Sequence, residues 1–166
     1  MNKNVTAGIG ILLIIIVGVV FFATNAIRNQ SSLQTTKKQS APGTGETLAG
    51  TTTPYYAFTK AAYEKALKEK KVILLNFYAN WCPICRAEAP DVAAAFDALN
   101  NPDAVGFRVN FKDTDTDSDE EALAKQFEIP YQHTKVLLVN GKEVSKETAQ
   151  WNKQQYIDAI TNATNN

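Results

Sequence analysis

The sequence predicts an α/β domain in which a mixed central sheet lies between layers of helices, preceded by one N-terminal transmembrane helix and a flexible linker. Three observations lead to this prediction. An uninterrupted apolar segment stands near the amino terminus, a Ser/Thr/Gly-rich stretch follows it, and residues 55–166 alternate between helical and strand-like hydrophobic patterns. Because these patterns alternate along the chain, we expect a sheet that is covered by helices on both faces.

The amino-terminal segment, residues 1–28, is predicted to be a membrane anchor. The residues between Lys3 and Arg28 are uncharged, and about 20 apolar residues span a hydrocarbon layer of roughly 30 Å. The alternative is a cleaved signal peptide, but this apolar run is longer than the usual signal core of about 7–15 residues. We therefore expect residues 5–27 to lie in the membrane. Either alternative exports the domain, so we expect it to be extracytoplasmic.

The middle of the chain, residues 29–54, is predicted to be a disordered linker, because it is rich in Ser, Thr, Gln and Gly and has little apolar surface to bury. Residues 55–166 then form the folded domain, which is long enough to bury one core without disulfides or structural metals. The whole chain has a net charge of zero. Since it shows no basic patch, it is not expected to bind nucleic acid.

The first elements of the domain follow from hydrophobic spacing and capping residues. Thr59 is expected to cap a helix that runs to about Lys71. The continuous apolar run at residues 72–78 predicts a central strand that is buried on both faces. A second helix is expected at about 83–99, and it should bend or restart at Pro90, which cannot donate a backbone hydrogen bond.

The second half of the domain contains a predicted hairpin. Asn140-Gly141 is a strong signal for a two-residue turn, so residues 142–147 should pair antiparallel with a strand at 135–139. The other expected elements are a strand at 105–111, a helix capped by Ser118 or Asp119, and a final helix at 153–161.

The segment Trp81-Cys82-Pro83-Ile84-Cys85 lies between the buried strand and the following helix. Cys82 would then stand at the helix amino terminus, where unpaired backbone N–H groups and the helix dipole favour a thiolate. Cys85 falls one turn later on the same side, close enough to attack a mixed disulfide formed at Cys82. We expect an exposed, reactive Cys82 and a shielded, resolving Cys85, with Pro83 at the first helical position. This placement favours a redox pair over an inert disulfide or two buried thiols.

The segment LLNFYANWCPICRAEAP, residues 74–90, resembles the thioredoxin superfamily, and most closely its membrane-anchored TlpA/ResA-like members. A weaker resemblance covers residues 55–166 and includes the hairpin KVLLVNGKEV. The resemblance implies a thioredoxin-like fold and an enzyme, a protein thiol–disulfide oxidoreductase that needs no cofactor beyond its own redox-active disulfide. It also implies exported proteins with thiols or disulfides as partners, and a membrane-bound or soluble redox partner.

Some positions depart from the pattern that the resemblance implies. Asn76 stands six residues before Cys82, where typical thioredoxins hold a buried Asp. Since Asn cannot titrate, we expect a hydrogen-bonded polar side chain, with proton transfer at Cys85 left to water or to Glu88. Arg108 matches a Lys that pairs with the missing Asp, and we expect it to be solvated or at an interface. Trp81 is expected to shape the surface that a partner touches.

His133 is the only histidine of the chain. The resemblance puts the superfamily's cis-proline at His133, with Pro130 as the rival position. A non-proline cis peptide bond costs about 2.5–4 kcal/mol, so the Gln132–His133 bond is expected to be trans unless packing holds it cis. The imidazole would stabilise the Cys82 thiolate, complete a soft-metal site with Cys82 and Cys85, or only pack in its loop. A carrier of Cu(I) or another soft metal is therefore the alternative function.

Overall fold

The computed structural model describes residues 45–165. The predicted anchor at 1–28 and the greater part of the predicted linker lie outside the described residues. Within residues 45–165, no helix is both long enough and apolar enough to cross a membrane. The elements in this part of the chain are β1 (Thr47–Ala49), β2 (Tyr55–Ala57), α1 (Lys60–Lys68), β3 (Val72–Tyr78), α2 (Pro83–Ala98), β4 (Ala104–Asn110), α3 (Ser118–Gln126), β5 (Lys135–Val139), β6 (Lys142–Glu147) and α4 (Lys153–Thr164).

The strands form one mixed sheet in the order β1-β2-β4-β3-β5-β6. β3 lies in the centre, parallel to β4 on one side and antiparallel to β5 on the other. Its seven residues match the predicted span, and all but the last are buried. The expectation of a central strand covered on both faces is therefore confirmed, and so is the mixed α/β architecture.

The core is divided between the two faces of the sheet. Residues of β3 alternate between these faces, so that Ile73 and Leu75 join one cluster of buried residues while Val72 and Leu74 join the other. The first cluster includes the apolar stripes of α1 and α3, and the second includes those of α2 and α4. Each fully buried aliphatic side chain contributes about 1.5–3 kcal/mol to folding, so these two layers hold the sheet in place.

The hairpin between β5 and β6 has the predicted turn. Asn140 and Gly141 have positive φ values of 52° and 74°, and two consecutive residues of this kind are what a type I′ turn requires. Residues 142–147 pair antiparallel with residues 135–139, with a register irregularity between Leu137 and Leu138. The predicted hairpin is confirmed.

The segment before β2 is ordered, contrary to the prediction of a linker that extends to residue 54. Strand β1 pairs antiparallel with β2. The Gly50 amide donates to Asp97 Oδ1 at 2.8 Å. Thr53 is fully buried, and its hydroxyl donates to the Asn101 carbonyl at 2.9 Å and accepts the Asn101 amide at 2.8 Å. The prediction was wrong for residues 45–54 because tertiary hydrogen bonds satisfy polar groups that the composition assigns to solvent.

The helix boundaries follow from their caps. Thr59 caps α1 as predicted, by accepting a hydrogen bond from the Ala62 amide. Asp117, rather than Ser118 or Asp119, caps α3, because its carboxylate and the Glu120 side chain form a reciprocal capping box. Helix α2 continues through Pro90 without restarting.

Candidate redox site

Cys82 is the N-cap residue of α2, and Pro83 occupies the first helical position as predicted. The Cys85 amide donates to Cys82 Sγ at 3.2 Å, and both cysteines are free thiols. Only 2% of Cys82 is exposed, so the expectation of an exposed thiol was wrong. The physical reason is the cap itself, because a sulfur that accepts the Cys85 amide turns back over the helix end and packs against Ala79 and Cys85.

Cys85 lies one turn further along α2 and is 5% exposed. Burial raises the pKa of the Cys85 thiol to about 12, with a further contribution from its hydrogen bond to Cys82. Backbone groups of Ala79 and His133 act in the opposite direction but do not outweigh burial. Cys85 is therefore a shielded, protonated thiol at neutral pH, as expected for the residue that resolves a mixed disulfide.

His133 lies against the end of β3, beside the two cysteines. Its amide donates to the Phe77 carbonyl at 2.7 Å, and its backbone has a positive φ of 57°. None of the peptide bonds in residues 45–165 is cis. The expected trans peptide bond before His133 is confirmed, and the peptide bond before Pro130 is also trans.

The side chains of His133, Cys82 and Cys85 converge. Each offers one potential ligand atom, and these atoms all lie within 4.8 Å of one another. The Nδ1 atom of His133 is buried and has no hydrogen-bond partner. Burial lowers the pKa of His133, and the positive charge of Lys135 lowers it further, while Glu88 partly offsets both. Burial and the charge of Lys135 thus favour the neutral form of the imidazole.

Glu88 of α2 forms a buried ion pair with Lys135 of β5. Its Oε1 lies 2.6 Å from Lys135 Nζ, and the two side chains are 2% and 1% exposed. The same oxygen accepts the Trp151 amide at 2.6 Å and the Tyr156 hydroxyl at 3.3 Å. These contacts direct the carboxylate towards β5 and α4, so its expected role in proton transfer at Cys85 stays a prediction.

Asn76 and Arg108 occupy the positions that departed from the thioredoxin pattern. Asn76 is buried in β3, and its Nδ2 donates to the Tyr55 hydroxyl at 3.0 Å, which confirms the expected hydrogen-bonded polar side chain. Arg108 is half-buried, with its guanidinium 5.3 Å from the centroid of the Tyr78 ring. Its Nε is buried and has no hydrogen-bond partner. Arg108 is thus only partly solvated, because its guanidinium packs against the Tyr78 ring, and the expected interface role stays a prediction.

Three exposed apolar side chains surround the cysteines, and together they form the apolar rim. Trp81, Ile84 and Tyr131 are 52%, 39% and 44% exposed. The indole nitrogen of Trp81 donates to the Lys112 carbonyl at 3.0 Å, and the ring of Tyr131 lies 5.2 Å from that of His133. Among the large apolar residues that are exposed in the described part of the chain, only Val144 lies elsewhere. The rim includes Trp81, and its expected contact with a partner stays a prediction.

Sequence reasoning missed Lys135 and Tyr131. Lys135 begins an apolar strand, where a charged residue is normally assigned to the solvent-exposed end. The four residues that follow Lys135 are all apolar, which indicates a buried strand. Nothing in the neighbouring sequence identifies Glu88 as the partner of Lys135. Tyr131 lies in an irregular loop, and only the folded chain shows that its ring contacts His133.

Comparisons with known proteins agree with the fold. A model of the thioredoxin family matches residues 54–162. Thioredoxin-2 of Pyricularia oryzae is 30% identical over 84 residues, which are 51% of this chain and 44% of that protein. Thioredoxin-1 of Saccharomyces cerevisiae is 28% identical over 88 residues, 53% of this chain and 78% of that protein. The crystal structure of Trxlp from Edwardsiella tarda has a TM-score of 0.54 and 25% identity, and covers 64% of this chain and 97% of that chain.

The chain belongs to the thioredoxin family, because the family model matches more than half of its residues. This membership supports thiol–disulfide oxidoreductase chemistry in general. The chain spans less than half the length of the first of these relatives, so the activity and partners of the whole protein are a matter for proposal. The closer resemblance to TlpA/ResA-like members stays a prediction.

Proposed function

We propose that the protein is a membrane-tethered thiol–disulfide oxidoreductase that exchanges disulfides with the cysteines of exported proteins through Cys82 and Cys85. The observation that carries this proposal is the thiol of Cys82 at the N-cap of α2, with the protonated thiol of Cys85 one turn behind it. A helix amino terminus stabilises negative charge. Cys82 is therefore the nucleophile, and Cys85 is the resolving thiol.

The exchange proceeds in two balanced steps. The Cys82 thiolate attacks one sulfur of a partner disulfide, so that a mixed disulfide forms and the first partner thiolate leaves and takes up a proton. Cys85 then attacks the Cys82 sulfur, and the second partner thiolate leaves. The proton that Cys85 loses is matched by the one that the second thiolate gains. One partner disulfide is reduced to two thiols, and the Cys82–Cys85 disulfide forms; the same steps in reverse oxidise a partner.

The apolar rim favours a protein as the substrate. Its three side chains expose large apolar surfaces around two cysteines that are almost fully buried. Aromatic side chains of this kind are enriched where proteins bind proteins. An extended partner segment that covers Trp81 and Tyr131 would place its own disulfide over Cys82.

The proposed tether is the apolar segment within residues 1–28. It would hold the domain close to the membrane on the extracytoplasmic side, where exported proteins form and exchange disulfides. Fractionation of full-length protein should recover it with membranes. Recovery of a mature chain that begins near Ile27 would instead identify a cleaved signal peptide.

Insulin reduction in the presence of dithiothreitol tests the exchange chemistry. Wild-type protein should accelerate the precipitation of reduced insulin, while Cys82→Ser should abolish this activity. Cys85→Ser should accumulate mixed disulfides that reducing agents release. If Cys82→Ser traps partners instead, the assigned roles of the two cysteines are reversed; if wild type has no activity, the proposal fails.

A further inference from the structure

We infer that Cys82, Cys85 and His133 form a binding site for a single Cu(I) ion in the reduced protein. This inference does not depend on the oxidoreductase function proposed above. It rests on the three potential ligand atoms that lie within 4.8 Å of one another and on the unpartnered, buried Nδ1 of His133.

The orphan nitrogen is the observation that distinguishes this site from an ordinary cysteine pair. A buried polar atom without a hydrogen bond costs about 1–3 kcal/mol, and a metal ion bound through Nδ1 would give that atom a partner. The backbone of His133 is fixed by the 2.7 Å hydrogen bond from its amide to the Phe77 carbonyl. The loop therefore holds the imidazole beside the thiols without the help of a metal.

The spacing of the three atoms fits one metal ion. With metal–sulfur distances of about 2.3 Å, three ligands around a single ion are about 4 Å apart. The ligand atoms lie at most 4.8 Å apart in the structure, so they need to approach one another by less than about 1 Å. Rotation of the side chains allows this approach. The ligands come from a helix end and from a loop tied to β3, so the fold has already brought together groups that are distant in sequence.

The chemistry of the donors selects a soft ion. Two thiolates with one imidazole favour Cu(I) or Zn²⁺ over Mg²⁺ or Ca²⁺. Zn²⁺ in proteins takes four ligands, with water as the fourth in an open site, whereas Cys82 and Cys85 are only 2% and 5% exposed. Both thiols are buried and His133 is half-buried, and the cluster has no fourth protein ligand among residues 45–165, so three soft donors favour Cu(I).

Charge balance is compatible with this assignment. Cu(I) held by two thiolates and a neutral imidazole gives a complex with one net negative charge. Lys135 is positively charged and acts electrostatically on His133, while its partner Glu88 offsets part of that effect. Formation of the Cys82–Cys85 disulfide would remove both thiolates, so the oxidised protein cannot hold the ion at this site. Metal binding and disulfide exchange are then mutually exclusive states of the same cysteines.

Competition with bathocuproine disulfonate under anaerobic conditions tests the site in the full-length protein, using Cu(I) alone as the probe. Reduced wild type should remove one Cu(I) per chain from the coloured chelator complex, and oxidised wild type should remove none. The matched variant is His133→Asn, because Asn tolerates a φ of 57° and keeps the amide that donates to Phe77. Proline would lose that amide and has a fixed φ near −65°.

The His133→Asn protein should bind Cu(I) at least tenfold more weakly than wild type. X-ray absorption of wild type loaded with Cu(I) should show two sulfur ligands and one imidazole nitrogen, and this measurement decides the matter even if the variant fails to fold. Equal affinities of the two proteins, or the absence of imidazole scattering, would overturn the inference. Tighter binding of Zn²⁺ than of Cu(I) would overturn the choice of ion. Insulin reduction by the metal-free sample reports the oxidoreductase function separately.

Discussion

Replacement of Lys135 by methionine should destabilise the protein by about 3–5 kcal/mol, because it leaves the Glu88 carboxylate buried without its counter-ion. Lys135 Nζ lies 2.6 Å from Glu88 Oε1 and donates to the Ala149 carbonyl at 2.6 Å. Methionine fills the volume of the lysine stem but cannot replace either contact. Since domains of this size are stable by about 5–15 kcal/mol, the loss is a large fraction of the total.

A double-mutant cycle separates the ion pair from the packing of the two side chains. Glu88→Gln should also be costly, because it leaves the Lys135 ammonium buried without its counter-ion, although the amide oxygen still accepts the Trp151 N–H. The double variant Glu88→Gln/Lys135→Met contains no buried charge at this site. It should therefore be more stable than the sum of the two single effects predicts, by about 0.5–3 kcal/mol.

Urea denaturation of the reduced proteins measures these free energies, provided that the denaturant slope is unchanged. The chain has a single histidine, so its NMR titration is unambiguous. Because the charge of Lys135 lowers the pKa of His133, Lys135→Met should raise that pKa. The reasoning would be refuted if Lys135→Met lowered the free energy of unfolding by less than about 1 kcal/mol, or if the effects of the two single substitutions were additive. Either result would show that the charges of Lys135 and Glu88 do not stabilise each other.

Three further predictions concern the domain boundary, the resolving thiol and the rim. A chain that lacks residues 45–54 should be less stable than one that retains them by at least about 3 kcal/mol in urea denaturation, because three side-chain hydrogen bonds of about 1 kcal/mol each are lost together with the backbone pairing of β1 with β2; equal stabilities would contradict this. Because the pKa of Cys85 is raised by burial, the native state binds more protons than the unfolded chain above about pH 8.5, so reduced protein should lose stability as pH rises from there towards 12. Cys85→Ala should abolish the part of this slope that lies between about pH 8.5 and 10, because above that range the raised pKa values of the buried Tyr55, Tyr63 and Tyr156 give a slope of the same sign; a slope that persists below about pH 10 in the variant would assign it to another group. Trp81→Ala should lower kcat/KM for insulin reduction roughly tenfold if the side chain is a binding hot spot, while Val144→Ala, which removes a similarly exposed side chain on β6, should change it less than twofold; equal effects would exclude the rim as the docking surface.

Features with a strong local cause could be predicted from the sequence. Val72–Tyr78 is a run of apolar residues broken only by Asn76, so its central position in the sheet follows from hydrophobicity alone. The turn at Asn140 and Gly141 follows from the ability of these two residues to adopt positive φ. The N-cap position of Cys82 follows from the order of strand, Cys and Pro, since Pro83 favours the first helical turn.

Other features depend on groups that are distant in the chain. Residues 45–54 are ordered because Asp97 and Asn101 form hydrogen bonds with their polar groups. The amino-acid composition of the segment does not indicate these partners. The burial of Lys135, the first residue of β5, depends on its ion pair with Glu88 of α2. In both cases the polar group is stable away from water only because its partner is already in place.

The candidate redox site combines the two kinds of information. The sequence by itself determined that Cys82 and Cys85 form a pair at the start of a helix, because their spacing and the neighbouring strand and proline act locally. Only the tertiary structure decided that Cys82 is buried and that His133 reaches the thiols with a trans peptide bond, a positive φ and a free Nδ1. The physical reason is that solvent exposure and the distance between remote side chains are set by how the loop before β5 packs against the end of β3.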